Sequence, residues 1–382
     1  MRFALIGTDI FDGESLYSNK ALLLENNAIH SITDVTNIPD NFQIKKINGG
    51  TLMPGFVDLQ VNGGGGVLFN DETSLEGLIT ISNAHLSTGT RAFLPTLITD
   101  TPDKSRAAVD AVVTAIEQNV PGILGIHFEG PHISVARKGA HSASLIRKMD
   151  TEDVRFLLDT ANRLANVMVT VAPENVTFEQ IKQLSNAGII ISLGHTNCSF
   201  QEATQAFHSG AKCVTHLFNA MSQIGNREPG LVGAALHTGS VSAGLIADDI
   251  HVHAASMRLA IASKLAPGHI FLVTDAMATV GSTIEEFTLN NRKILRRNGS
   301  LRLEDGTLAG ADLTLTSALS LLINKIGIDK DQVLAMATSY PAKLLNNTFG
   351  FGTFKIGQSW NGIHLDSKLS YSTLNSIDSM LP

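Results

Sequence analysis

Eight short apolar, β-branched segments recur along the middle of the chain, each bounded by Gly, Pro or polar residues, over roughly 52–60, 91–98, 122–129, 167–174, 189–195, 213–219, 241–251 and 269–275. Amphipathic, Ala/Leu-rich stretches separate them, and this pattern predicts helices over 103–117, 177–187, 200–209 and 254–265. Strand alternating with helix eight times predicts an α/β protein, a closed parallel (β/α)8 barrel of the TIM type. The two ends of the chain read differently. Residues 1–51 carry short alternating strands punctuated by Asp12-Gly13, Asn26-Asn27 and Asn48-Gly49-Gly50, and the tail from about 350 again shows Gly-punctuated strands without long helices. Chain ends commonly lie close together, so 1–51 plus 350–382 are expected to form one small β-sandwich module beside a barrel spanning 52–349. The helical stretch 313–345 then closes the far side of the barrel. No repeat motif, low-complexity tract or flexible linker stands out.

The composition narrows the class. Of 382 residues, 43% are hydrophobic and 16% charged, with 33 Gly and 11 Pro, which excludes collagen-like, coiled-coil and disordered chains and leaves a soluble globular protein. Lys plus Arg number 28 against 35 Asp plus Glu, and no basic run tracks a phosphate backbone, so nucleic acid is not an expected partner. Acidic residues arrive by Asp9, too early for a secretory leader, and no apolar run reaches membrane-spanning length. Two cysteines, Cys198 and Cys213, in so large a chain are expected to be reduced thiols, and the protein is expected to be cytoplasmic with no membrane partner.

In a barrel of this kind the chemistry sits at the carboxyl ends of the strands, where the βα loops converge. Six of the eight strand ends carry unusual polar residues: Asp58-Leu-Gln60-Val-Asn62, His127-Phe-Glu129, Gly194-His195, Thr215-His216 with Asn219-Ala220, Asp248-Asp249 with His251, and Thr274-Asp275. Several buried polar groups aimed at one mouth need compensation, and a metal ion supplies it. Glu129, His195 and His216 match a catalytic site of zinc type, with three protein ligands and one position left for water or substrate. Iron, cobalt and manganese suit the same donors as zinc, and the sequence does not choose among them, although zinc is the ion expected first. Asp275 is either a fourth ligand or a free base beside the metal, and the base is favoured. His127 faces the same side of its strand as Glu129, one layer deeper, where support of the site and plain packing fit equally well. His30, His85, His208, His237 and His364 are read as ordinary core or surface histidines, Cys198 as an inert thiol and Gly63–Gly66 as a tight loop. Arg227, on the loop after strand six, either grips an anionic substrate group or is an ordinary surface arginine.

With these residues in view, the chain resembles the amidohydrolase superfamily and, within it, the N-acetylglucosamine-6-phosphate deacetylase family. The resemblance runs nearly the full length. It is carried by Met53-Pro-Gly-Phe-Val-Asp58, Gln60-Val-Asn62-Gly, Leu94-Pro-Thr-Leu-Ile-Thr99, His127-Phe-Glu129-Gly-Pro131, Lys138-Gly-Ala-His141, Leu193-Gly-His195, Thr215-His216-Leu-Phe-Asn219-Ala-Met221, Arg227-Glu-Pro-Gly230, Ile246-Ala-Asp248 with His251, Val273-Thr-Asp275-Ala and Leu308-Ala-Gly310. The resemblance implies that Glu129, His195 and His216 hold the metal, that Asp275 is the general acid/base and that His141 stabilises the amide oxygen as it becomes negative. It also implies that Asn219, Ala220, Arg227, His251 and Leu308 contact the sugar phosphate. Arg227 is then expected to reach across a homodimer, which would make dimerisation a catalytic requirement. The expected substrate is N-acetylglucosamine 6-phosphate, hydrolysed to glucosamine 6-phosphate and acetate in amino-sugar catabolism or recycling.

Two departures matter. The His-x-His usual in the superfamily at the end of strand one is here Gln60-Val-Asn62, and neutral amides are poor ligands beside imidazole. These are remnants of a second site, so one divalent ion per chain is expected. Gln358-Ser-Trp360-Asn361 stands where the family tends to have an Ala-Asp pair, which bears on the small β module and not on the chemistry. The rival readings are another amidohydrolase, such as a nucleobase deaminase or cyclic-amide hydrolase, and a non-catalytic sugar-phosphate-binding protein.

Overall fold

The computed structural model describes residues 1–290 and 292–371. At its centre lies an eight-stranded parallel sheet whose neighbours follow chain order. The strands are β1 Phe56–Val61, β2 Thr90–Ile98, β3 Ile126–Glu129, β4 Val167–Val171, β5 Ile190–Leu193, β6 Cys213–Val214, β7 Ser242–Leu245 and β8 Ile270–Leu272. The end of β8 returns to β1 through a bridge between Val61 and Ala276 and a bond from the Asp275 amide to the Gln60 carbonyl (3.0 Å). Asp58 fastens the same seam. Buried on β1, its carboxylate accepts the Gln60 amide (3.1 Å), the Thr274 amide (3.3 Å) and the Thr274 hydroxyl. Parallel strands covered on both faces read as continuous apolar runs, and Val167–Val171 and Ile190–Leu193 are buried throughout.

Seven helices alternate with the strands, α1 Leu75–Leu86, α2 Pro102–Glu117, α3 Thr151–Arg163, α4 Phe178–Asn186, α5 Phe200–His208, α6 Gly230–His237 and α7 Ala254–Ser263; α2, α4, α5 and α7 match the four ranges expected from sequence. Their starts are written locally. Asp150 with Asp153, Thr177 with Gln180 and Ser199 with Glu202 form reciprocal capping boxes that satisfy otherwise orphaned amides. Helical turns over Leu315–Ile326, Lys330–Met336 and Ser339–Ala342 continue the ring, and the Ala337 carbonyl accepts the Val57 amide (2.9 Å) where they meet β1. No helix among the described residues is long and apolar enough to cross a membrane.

The ends build two four-stranded sheets. One contains Arg2–Ile6, Lys20–Glu25, Ala28–Asp34 and Gln43–Lys46; the other contains Asp9–Phe11, Leu16–Tyr17, Thr51–Pro54 and Gly362–Leu365. Leu5, Ile10, Leu22, Leu24, Ile29, Leu52 and Phe354 pack between them, as a sandwich requires. Positions 372–382, expected in this module, lie outside the described residues.

Three expectations need correction. The segment 52–60 is two strands in two sheets: Thr51–Pro54 pairs with Gly362–Leu365, while β1 starts at Phe56. The break falls at Gly55, where a Cβ would overlap the Arg91 side chain at 2.0 Å, so only glycine fits at the change of sheet. Segments six to eight end at Val214, Leu245 and Leu272, earlier than 219, 251 and 275, and beyond those ends the chain turns through His216, Phe218, Ala220, Asp249 and Asp275 in left-handed backbone. Finally, an antiparallel four-stranded insert, Glu286–Leu289, Arg292–Arg297, Ser300–Leu303 and Leu308–Ala311, stands between β8 and the last helices.

Candidate active site

The strand ends converge on a cavity of about 540 Å³ at the carboxyl face of the barrel. Glu129 ends β3, His195 and His216 lie just beyond β5 and β6, and Asp275 lies beyond β8; all four are buried. His195, His216 and Asp275 have φ of 47°, 28° and 51°, a conformation that costs non-glycine residues about 1 kcal/mol or more. The turn aims each side chain into the mouth, and the hydrogen bonds around it hold it there.

Three atoms meet at the floor. Glu129 Oε1 lies 3.2 Å from His195 Nε2 and 3.0 Å from His216 Nε2, and the two imidazole nitrogens are 3.1 Å apart. His195 Nδ1 faces the Arg137 carbonyl at 2.8 Å, and a carbonyl only accepts, so Nδ1 carries the proton and Nε2 presents a lone pair. A carboxylate oxygen and an imidazole lone pair at this distance repel unless a cation lies between them, and His216 Nδ1 is buried with no hydrogen-bond partner among the described residues. The donor set therefore fits a divalent ion of zinc type. Burial opposes ionisation of Glu129, but the imidazoles of His141, His195 and His216 outweigh it and hold its carboxyl well below the usual range. Ligand atoms of Glu129, His141 and His195 also lie within 4.8 Å of one another. The set with His216 is tighter, its three atoms lying within 3.2 Å of one another.

His141 receives the Thr99 backbone N–H at Nδ1 (3.4 Å), with the Thr99 hydroxyl 2.7 Å from the same atom. That leaves its proton on Nε2, which lies 3.6 Å from Glu129 Oε2. Burial pushes its pKa down to about 4, so the ring is a neutral donor facing the cavity. Asp275 Oδ1 accepts from Gln60 Nε2 (3.0 Å) and Asn62 Nδ2 (2.6 Å), while Gln60 Nε2 also reaches Glu129 Oε1 (3.0 Å). Burial, reinforced by the Glu129 charge, pushes the Asp275 carboxyl up to about 6. The amides that replace His-x-His are thus occupied as donors to two carboxylates.

Asn219, Ala220, His251 and Leu308 all line the cavity, with His251 Nδ1 held by Asp248 Oδ2 at 2.6 Å. Arg227 is exposed and outside the cavity wall of the single chain. His127 sits below the floor, its Nδ1 2.9 Å from the Leu59 carbonyl and its Nε2 2.8 Å from the Thr170 hydroxyl, with Thr215 and Ser192 extending the chain. Cys198 and Cys213 are buried and unpaired, and burial pushes both thiols up to about 12. The sequence reading missed Arg137, Arg302 and Thr307, which also line the cavity. The turn pairs Asn298-Gly299 and Asp305-Gly306 were the available signal for the hairpins that carry the last two.

The closed barrel with a buried carboxylate and two imidazoles at its mouth defines a metal-dependent hydrolase of the amidohydrolase type. Residues 51–380 match the model described as the Amidohydrolase family, and the chain belongs to that family. It is 43% identical over 302 residues to the N-acetylgalactosamine-6-phosphate deacetylase of Shewanella sp. (strain ANA-3), covering 78% of this chain and 75% of that one. It is 32% identical over 364 residues to the N-acetylglucosamine-6-phosphate deacetylase of Haemophilus influenzae, covering 94% of each. Among solved structures, the N-acetylglucosamine-6-phosphate deacetylase of Pasteurella multocida superposes with a TM-score of 0.91 at 34% identity over 97% of both chains. A variant of the Mycobacterium smegmatis enzyme in complex with N-acetyl-D-glucosamine-6-phosphate gives 0.88 at 28% identity, over 97% of this chain and 96% of that one.

Proposed function

We infer that this chain hydrolyses the acetamide of N-acetyl-D-glucosamine 6-phosphate to acetate and D-glucosamine 6-phosphate. The observation that carries the reading is the meeting of Glu129, His195 and His216 within 3.2 Å beside a buried Asp275 that is not one of the three. A divalent ion held by those three would lower the pKa of a water and polarise the amide carbonyl. Asp275 takes a proton from the attacking water at a carboxylate oxygen, while Gln60 and Asn62 keep that carboxylate turned inward. His141 donates from Nε2 to the carbonyl oxygen as charge develops there. The C–N bond then breaks, Asp275 returns its proton to the departing nitrogen, and acetate and the free amine separate. Asn219, Ala220, His251 and Leu308 contact the sugar phosphate.

The finer assignments follow the same reading. Zinc is the native ion, and one suffices, because Gln60 and Asn62 are engaged by Asp275 and Glu129. The enzyme is a homodimer in which Arg227 reaches a neighbouring active site; the exposed Ile224 in the same loop and Leu259 and Leu265 beside it supply an apolar face for the second copy. It works in the cytoplasm in amino-sugar catabolism or recycling, and its unpaired buried cysteines suit a reducing compartment.

The 43% identical Shewanella relative favours a second substrate, the 4-epimer N-acetylgalactosamine 6-phosphate. The deciding experiment incubates metal-analysed protein with both hexosamine phosphates and with unphosphorylated N-acetylglucosamine, and quantifies acetate. Release from at least one phosphate, abolished by chelation and restored by metal, is expected. Binding without acetate release from metal-replete protein would overturn the reading in favour of a sugar-phosphate-binding protein, and turnover of a cyclic amide or nucleobase alone would assign another amidohydrolase activity.

A further inference from the structure

The charges around the cavity are polarised. Its carboxylates, Glu129 and Asp275, are at the buried floor, while two guanidiniums, Arg137 and Arg302, stand in its walls. Among the described residues neither has a carboxylate within 4.0 Å. Arg137 bonds the neutral amide oxygen of Asn197 from Nε (2.9 Å) and Nη2 (2.7 Å). Arg302 is the more informative of the two.

Arg302 belongs to the insert strand Ser300–Leu303. The hairpin after it is closed by the Leu303 amide on the Thr307 carbonyl (2.9 Å), the Gly306 amide on the Leu303 carbonyl (2.9 Å) and the Thr307 amide on Asp305 Oδ1 (2.9 Å). This tight turn presents the Gly306 carbonyl to Arg302 Nη1 at 3.0 Å, while Ser300 Oγ takes Nε at 3.2 Å. Two of the three guanidinium nitrogens are therefore anchored to neutral acceptors, and Nη2 has no protein partner among the described residues. A guanidinium held in place with its charge unpaired and a nitrogen free at a cavity wall is arranged to take an anion. Nor does the insert stand apart from the chemistry. Arg292 Nη2 donates to the carbonyl of Ala140, the residue before His141, and Leu289, Ile294, Leu301 and Leu303 pack with Met277 and Ile98 at the mouth.

We propose that Arg302 is a substrate-binding residue, supplied within the subunit by the β-insert, that takes the phosphate of the sugar phosphate and sets the preference for phosphorylated substrates. This rests on the deacetylase reading above. It adds to that reading a cation that needs no second copy of the chain, unlike Arg227.

The test compares wild-type protein with Arg302→Met, Arg302→Lys and, as a control on the same insert, Arg297→Met, whose exposed side chain is outside the cavity wall. In Arg302→Met the ratio of kcat/KM for phosphorylated over unphosphorylated N-acetylhexosamine should fall about tenfold or more, mainly through KM, the scale of one charge-assisted contact. Arg302→Lys should recover part of it, and Arg297→Met should match wild type. Calorimetry with glucosamine 6-phosphate and with inorganic phosphate should show the same order without turnover. An unchanged ratio, or an equal loss on both substrates, would overturn the proposal while leaving the deacetylase intact. Absence of acetate release from every hexosamine phosphate by wild-type protein would instead sink the deacetylase reading, and calorimetry would still decide whether Arg302 binds the anion.

Discussion

Two regions of different physical character meet at the cavity. The barrel floor is made of residues such as Glu129 and His195, 3% and 5% exposed, each tied to several partners and fixed by strands packed on both sides. The wall from the insert is an antiparallel sheet on its own small apolar cluster, and three of its cavity residues, Arg302, Gly306 and Thr307, are exposed, while Leu289 is buried. A proton must be moved over tenths of an ångström, which needs the first kind of support. A phosphate presents several equivalent oxygens to a long guanidinium, so the second kind suffices. If that division holds, damage to the floor should appear in kcat and damage to the wall in KM.

The largest expected effect is at Asp275. Asp275→Asn keeps the shape and the bonds from Gln60 and Asn62 but cannot accept the proton, so kcat should fall about 10³-fold while metal content, measured by elemental analysis, stays at the wild-type value. A near-native rate would remove Asp275 as the base, and lost metal would make it a ligand. Next is His141→Gln, with an expected loss of about 10²-fold in kcat and little change in KM, as for removal of one oxyanion donor. A rise in KM with kcat unchanged would place His141 on the ground-state side of recognition.

The contrast also explains what the sequence made legible. A buried strand end has little freedom: a Glu or His following an apolar run in an α/β chain points into the mouth, so Glu129, His195, His216 and Asp275 could be picked out from type and position. The insert offers no such constraint. In Arg292-Lys-Ile-Leu-Arg-Arg297 the inward residue is Ile294, and flanking charges mask the alternation, because an edge-exposed sheet buries only one face over a small cluster. Its hairpin signals were present in Asn298-Gly299 and Asp305-Gly306, but a turn pair does not say which cavity the turn overlooks. Gly55 shows the same limit. The segment 52–60 reads as one strand, yet it changes sheet at Gly55, where the Arg91 side chain approaches too closely for any Cβ.

Arg292 joins the two regions and sharpens the comparison. Its bond to the Ala140 carbonyl ties the insert to the loop that carries His141. It is not among the cavity-lining residues and bonds none of the metal donors, so it acts through the Ala140 loop as a positioning residue. Arg292→Ala should lower kcat about tenfold with KM nearly unchanged, and Arg292→Lys should restore part of the rate. A change confined to KM would mean that the insert acts only as a wall and that His141 keeps its position without it.

The smallest expected effect isolates the wall from its side chains. Gly306 has φ of 87°, and a Cβ built on it meets nothing within 4 Å. Gly306→Ala therefore adds backbone strain of about 1 kcal/mol and no clash. Part of that strain can be relieved by shifting the turn whose carbonyl anchors Arg302, so KM for the sugar phosphate should rise a few-fold while kcat stays within twofold of wild type. The midpoint of thermal unfolding should move by no more than a few degrees, since the insert's cluster is separate from the main barrel core. A fall in kcat as large as that of Arg292→Ala would show that strain in the turn reaches the floor, and the division between a rigid chemical centre and an adjustable recognising wall would have to be given up.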